Sequence, residues 1–129
     1  MLKTAQLHEF REILDTRYEE LREEIRQDLL ETEEQHFIDL AGQVRDLEEQ
    51  SVADLLVDID LELIDRHVDE ARDIEAALAR IENGSYGECP DCGEDIPAAR
   101  LRAFPSAKRC RPCQERYEHT HAGNQTPSL

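Results

Sequence analysis

Apolar residues recur at steps of three and four from the start of the chain. Leu7, Phe10, Leu14, Tyr18, Leu21, Ile25 and Leu29 form one stripe, and Thr32, His36, Leu40, Val44 and Leu47 continue it. Glu, Asp and Arg fill the faces between. This period predicts one long amphipathic helix from about Thr4 to Leu47, with looser packing where Thr32 and His36 enter the seam. Ser51-Val-Ala-Asp54 then reads as an N-cap with an acid in the first turn. A second stripe follows through Val52, Leu55, Leu56, Ile59, Leu63, His67, Ala71, Ile74, Leu78 and Ile81, and Asn83-Gly84 supplies the stop. At ~1.5 Å per residue this second helix would run for roughly 45 Å. Two antiparallel helices with a hairpin turn near Asp46–Ser51 are the simplest arrangement.

After Gly84 the helical period ends. Ile96-Pro97 closes a short loop. Ala98–Ala103 reads as a turn of helix or a short strand, and Gln114–His119 as one or two helical turns. Residues 122–129 are mostly Gly, Asn, Gln, Thr, Pro and Ser and suggest a disordered tail. The expected division is residues 1–82 as the arm, 83–119 as a small head and 120–129 as the tail.

Composition sharpens this picture. Charged residues are 36% of the chain and aromatic residues 5%, with no Trp. That suits a narrow coiled-coil seam better than a broad core. The net charge of −16 is lopsided. Residues 1–88 hold nine basic and 26 acidic residues, whereas residues 89–129 hold six and five. An arm so acidic is a poor binder of nucleic acid, which needs Lys and Arg on its phosphates. No sequence-specific DNA binding is expected. The arm suits a basic protein groove or channel instead. The small basic cluster Lys108, Arg109 and Arg111 could balance a thiolate site or meet an acidic surface. No unbroken apolar stretch predicts a membrane span.

The four cysteines carry the chemistry. Cys89-Pro-Asp-Cys92-Gly and Cys110-Arg-Pro-Cys113 are separated by 17 residues. Each Cys-x-x-Cys needs a tight turn to aim both sulfurs at one point. Pro90 fixes φ early in the first turn, and Gly93 can take the positive φ that ends it. The spacing matches a tetrahedral four-thiolate zinc site, with Cys89, Cys92, Cys110 and Cys113 as ligands to one structural Zn²⁺. Iron in a rubredoxin-like site uses the same ligands and would make an electron carrier. Two disulfides would require a secreted protein, and no secretory segment follows Met1. A thioredoxin-like redox pair lacks its strand–turn–helix context. Thiolates kept for metal fit the reducing cytoplasm. His36, His119 and His121 are not needed, because four cysteines complete the set. A complete set also leaves no open position for water, so an enzyme is not expected.

The string Gly84-Ser-Tyr-Gly-Glu-Cys89-Pro-Asp-Cys92-Gly, with Ile96-Pro, Arg100–Ala107 and Cys110-Arg-Pro-Cys113, resembles the four-cysteine zinc finger of the DksA/TraR family. These are bacterial regulators that bind RNA polymerase. The resemblance implies a mainly α fold: a long antiparallel coiled-coil hairpin carrying a small zinc head. Longer members have a helical segment before the coiled coil, which this chain is expected to lack. In the family the arm enters the secondary channel of RNA polymerase, and Asp-x-x-Asp-x-Ala at its tip acts beside the catalytic centre. Counting back from Cys89 without a gap places that motif on Asp46-Leu-Glu-Glu49-Gln-Ser51. Asp46 matches, Glu49 adds a methylene, and Ser51 replaces the small apolar residue. The resemblance thus implies a monomeric cytoplasmic transcription regulator, with Asp46, Glu49 and Ser51 at a tip ~50 Å from the zinc by helical rise. The divergent tip supports an alternative: a zinc-stapled coiled-coil adaptor for another protein.

Overall fold

The structure, a computed structural model, describes residues 2–125. Six helices follow in order: α1 (Thr4–Glu31), α2 (Gln35–Asp46), α3 (Val52–Leu55), α4 (Glu62–Asn83), α5 (Ala98–Ala103) and α6 (Arg111–Gln125). Helix α1 packs along α4 and along α2, and α3 rests on α4. Together these four make the arm.

The first stripe forms as its period requires. Phe10, Leu14, Leu21, Ile25 and Leu29 of α1 are buried, facing Ile64, Val68, Ala71, Ile74 and Ala77 of α4. Polar pairs fasten the edges of this seam. Arg17 grips Glu70 through two hydrogen bonds of 2.6 and 2.9 Å, Arg11 reaches Glu82, and His67 Nδ1 lies 2.7 Å from Asp28.

The expected single helix from Thr4 to Leu47 is two helices. The chain leaves α1 at Glu31 without a Gly or Pro to break it. Thr32 Oγ1 donates to the Leu29 carbonyl at 2.8 Å and accepts the Glu34 N–H at 3.2 Å. This local bonding competes with the helix. Glu33 then takes φ 59°, a left-handed conformation that costs about 1–2 kcal/mol. The reversal lays α2 back against α1 and buries Leu40, Ala41 and Val44 in one cluster with Ile25 and Leu29. At about 1.5–3 kcal/mol for each large side chain, that burial outweighs the cost of the bend.

The second helix is also shorter than its stripe implied. Ser51 caps α3 as expected, accepting the Asp54 N–H at 2.9 Å. However, α3 ends at Leu55. Leu61 is extended at φ −142°, ψ 103°, and α4 starts only at Glu62. Between them Val-Asp-Ile-Asp-Leu (57–61) alternates apolar and acidic residues, a period that a helix does not favour. Ile59 and Leu61 turn inward against the distal core.

The turn at 47–51 consequently sits midway along the arm, not at its far end. Tyr18 OH and Glu75 hold it there. Glu75 accepts hydrogen bonds from Tyr18 OH, from Ser51 Oγ at 2.5 Å and from the Ala53 N–H at 3.3 Å, while Tyr18 OH accepts the Val52 N–H at 3.1 Å. Arg22 Nη2 donates to the carbonyls of Val44, Arg45 and Leu47 at the end of α2. The distal end is formed by Thr32–Glu34 and the segment leading into Glu62.

Gly84 ends α4 as predicted, at φ 83°. A second core then joins arm to head. Phe10, Leu14, Ile74 and Ala77 pack with Tyr86, Ile96, Leu101, Ala107, Cys89 and Cys113. Tyr86 donates to the Pro105 carbonyl at 2.6 Å. The tail expected from residue 120 is helical through Gln125, because α6 continues. Residues 126–129 of that expectation lie outside the described residues.

Two predictions follow from these contacts. Glu75→Ala strips three donors of their common acceptor and should lower stability by about 1–3 kcal/mol, read from the urea midpoint, with Glu75→Gln recovering part of the loss. An unchanged midpoint in the alanine variant would refute the role given to Glu75. The hydrogen bonds from Arg17, against a smaller opposing effect of burial, hold Glu70 below the usual carboxylate range. Its contribution is therefore present above the unfolded value of about 4.3 and lost as pH falls through the lower folded value. Both side chains are more than a third exposed, so Glu70→Gln should cost only ~0.2–1 kcal/mol at pH 7. In melting curves the gap from the parent should close in strong acid.

Candidate metal centre

The first cysteine pair sits in a tight knuckle. The Gly93 N–H bonds the Cys89 carbonyl at 2.8 Å, and the Cys89 N–H bonds the Glu94 carbonyl at 2.9 Å. Gly93 has φ 77°, the conformation that a side chain resists and the sequence anticipates. A bridge between Glu88 and Asp95 closes the loop. The Ile96 N–H then returns to the Gly87 carbonyl at 2.7 Å. The second pair is built differently. Cys110 precedes α6, Cys113 lies in its first turn, and the Gln114 N–H bonds the Cys110 carbonyl at 2.9 Å. A helix start offers unpaired N–H groups and a partial positive charge, both favourable to thiolates. Helix α5 lies between the knuckles in the chain, and its buried Leu101 packs in one core with Cys89 and Cys113.

All four Sγ atoms lie within 4.8 Å of one another, and they are the one such cluster of potential ligands among the described residues. Cys92 and Cys110 Sγ are 3.7 Å apart. Four bonds of about 2.3 Å to a tetrahedral Zn²⁺ imply sulfur–sulfur edges of about 3.8 Å. The same separation is far beyond a disulfide bond of about 2.05 Å, and all four cysteines are free. Cys89 and Cys113 are buried in the head core, while Cys110 is partly exposed and Cys92 exposed.

The thiols also differ in acidity. Burial pushes Cys89 up, but the N–H groups of Cys110, Cys92 and Asp91 outweigh it and bring the thiol down to about 6. Cys113 is pushed up to about 12, first by its hydrogen bond with Cys110 and then by burial. The Glu94 N–H acts to lower Cys92, yet burial and the neighbouring thiols leave it raised. A negative charge is thus accepted at Cys89 and resisted at Cys92 and Cys113. A divalent cation at the centre removes that resistance, so the donor set fits Zn²⁺.

The histidines stand apart. His36 and His119 are exposed. His121 stacks on Tyr117 with ring centroids 3.9 Å apart, and its Nδ1 lies 2.8 Å from the Tyr117 carbonyl. Of the basic cluster, Arg111 is exposed beside Glu115, whereas Arg109 is largely buried and bonded to Asp91. Sequence reasoning left two residues unremarked. Arg116 donates to Cys113 Sγ at 3.0 Å, a neighbour that the i+3 spacing on α6 would have revealed. Glu75 gave no comparable signal, since its partners lie on distant segments.

The three residues assigned to the tip do not share one environment. Asp46 is exposed at the end of α2, paired with Arg45 at 3.1 Å. Glu49 is exposed on the turn. Ser51 is engaged with Asp54 and Glu75 inside the arm.

Comparison with known proteins places these features in a family. Residues 84–119 match the family model described as the prokaryotic dksA/traR C4-type zinc finger. An RNA polymerase-binding transcription factor DksA from Caulobacter vibrioides is 34% identical over 119 residues, covering 91% of this chain and 79% of that protein. An uncharacterized protein from Aquifex aeolicus is 46% identical over 57 residues, 44% of this chain and 39% of its own length. The solved structure of transcription factor DksA2 from Pseudomonas aeruginosa superposes with a TM-score of 0.64 at 29% identity, covering 93% of this chain and 88% of that one.

Removing metal tests the centre. The purified chain should be colourless and hold one zinc by elemental analysis; a red protein containing iron would overturn the assignment. A strong chelator should melt the head while much of the helical circular dichroism persists, because the distal core of α1–α4 contains no head residue. Complete loss of helix would show that the arm depends on the head throughout.

Proposed function

We propose, from the premise that this chain belongs to the DksA/TraR family, that it is a zinc-binding transcription regulator that acts on RNA polymerase through its acidic arm. The family is one of regulators, not enzymes, and a four-cysteine site leaves no coordination position for a reacting water. The observation that carries the reading is the extent of the likeness: it spans 91% of this chain in the Caulobacter vibrioides relative, arm as well as head. A relative named for binding RNA polymerase supports the same partner here.

In this reading one structural zinc fixes the head, and the head docks at the rim of the polymerase secondary channel. The arm enters the channel. Residues 1–88 carry 26 acidic residues against nine basic ones, which complements a basic channel wall and speeds encounter. Asp46 and Glu49, both exposed, make contact from the side of the arm. Ser51 positions their turn through Glu75 and does not touch the partner. The protein works as a monomer in the cytoplasm, without reading DNA sequence. No helix among the described residues is long and apolar enough to cross a membrane.

One observation favours a second reading. The Asp46–Ser51 turn lies midway along the arm, where a different protein could meet it, as an adaptor would require. Co-purification separates the two. The zinc-loaded chain should retain RNA polymerase and alter transcription in vitro, with or without a nucleotide alarmone. Asp46→Asn/Glu49→Gln should weaken the transcriptional effect while leaving the helical signal intact. Absence of both binding and effect would refute the regulator reading. Another dominant partner, captured equally by the double variant, would favour the adaptor.

A further inference from the structure

A zinc ion with four thiolates carries two net negative charges, and here two of those sulfurs border an apolar core. Two arginines outside the ligand set address this charge. Arg116, on α6, donates from Nη2 to Cys113 Sγ at 3.0 Å. Arg109 immediately precedes Cys110, and its side chain is 15% exposed. Its Nε donates to Asp91 Oδ2 at 2.8 Å, inside the first knuckle. Its guanidinium carbon lies 3.9 Å over the Tyr117 ring of α6, and its carbonyl accepts from Arg100 Nε at 3.0 Å.

Position gives this arrangement a consequence. Asp91 precedes Cys92 and Arg109 precedes Cys110 in sequence, and the paired side chains border one surface hollow with Cys113, Arg116 and Tyr117. Cys92 and Cys110, whose sulfurs lie 3.7 Å apart, are the two less buried thiols. A knuckle that swings away from the other opens the site, and the Asp91–Arg109 bond ties the two together. Arg109 holds the first knuckle, the second knuckle and α6 in one set of contacts. Arg116 donates to Cys113 Sγ from the same hollow. An arginine suits both tasks, being permanently charged and planar.

We infer that Arg109 and Arg116 form a two-arginine clamp that controls how firmly this protein retains its zinc. Arg109, with Asp91, is a positioning residue for the two knuckles. Arg116 is a positioning residue for the Cys113 thiolate. The clamp stands independently of any role at RNA polymerase.

The test is zinc release from the loaded full chain into excess 4-(2-pyridylazo)resorcinol, followed by absorbance. Arg109→Met and Asp91→Asn should each speed release about tenfold, the scale on which partners of metal ligands act. The two together should be no faster than Arg109→Met alone, because they remove one shared interaction. Arg116→Met should also speed release, and Arg116→Lys should recover most of the loss. In the cobalt-substituted protein Arg116→Met should shift the thiolate-to-metal charge-transfer band, a change that altered packing elsewhere would not produce. Circular dichroism and metal content establish that each variant is folded and loaded; if Arg109→Met does not load, Asp91→Asn carries the test of the ion pair. Release rates within about twofold of the parent in Arg109→Met and Arg116→Met, or fully additive effects of Arg109→Met and Asp91→Asn, would overturn the clamp.

Discussion

Four thiols meet at one point only when two tight turns hold them there, and in this protein the same turns form the floor of the head core. Cys89 and Cys113 pack with Tyr86, Ile96 and Leu101 against Phe10 and Leu14 of the arm. Among the described residues the head has no sheet and one short helix besides α6, so little else can order it. A head of this size cannot bury enough apolar surface to fold alone. A metal ion bound by the four thiolates would supply what its core lacks. The arm stands on that core, so the turns that gather the cysteines also set how the arm meets the head.

The arm answers a different constraint. Its helices are too polar to fold singly, so each apolar stripe must find a partner. Helix α4 covers α1 along one face only. The α2 stripe would project without cover if the first helix ran on, and the bend at Glu33 brings Leu40, Ala41 and Val44 onto α1 instead. The distal half thereby becomes a thicker bundle than a two-helix hairpin. The cost is a polar turn at 47–51 that needs its own support. Arg22 supplies donors to three carbonyls, and Glu75 supplies acceptors to three donors.

Much of this was legible in the sequence. The cysteine spacing predicted the meeting of the four sulfurs, because two Cys-x-x-Cys turns with Pro90 and Gly93 leave few geometries open. The inner faces of α1 and α4 followed from period alone, and Gly84 marked the end of α4. The bend at Thr32–Glu34 was not legible, because the stripe runs through it and Thr32 and Glu33 are not strong breakers. Only the tertiary gain from folding α2 back decides it. The interruption before Glu62 left a trace in the Val-Asp-Ile-Asp-Leu alternation, but the flanking helical period masked it. The far-end placement of Asp46–Ser51 failed with the single-helix assumption on which it rested. Arg109 appeared in sequence only as one of three nearby cations; its burial between Asp91 and Tyr117 depends on how α6 folds over the site.

In the proposed function a metal-ordered head aims an acidic arm at the interior of RNA polymerase. Site-specific photocrosslinking tests it most directly. A photoreactive residue at the exposed distal position Glu33 should crosslink to the lining of the polymerase channel when zinc is bound. The yield should fall sharply after metal removal, as the head ceases to hold the arm in line. Crosslinking that reaches only the polymerase exterior, or an unchanged yield without metal, would contradict the account.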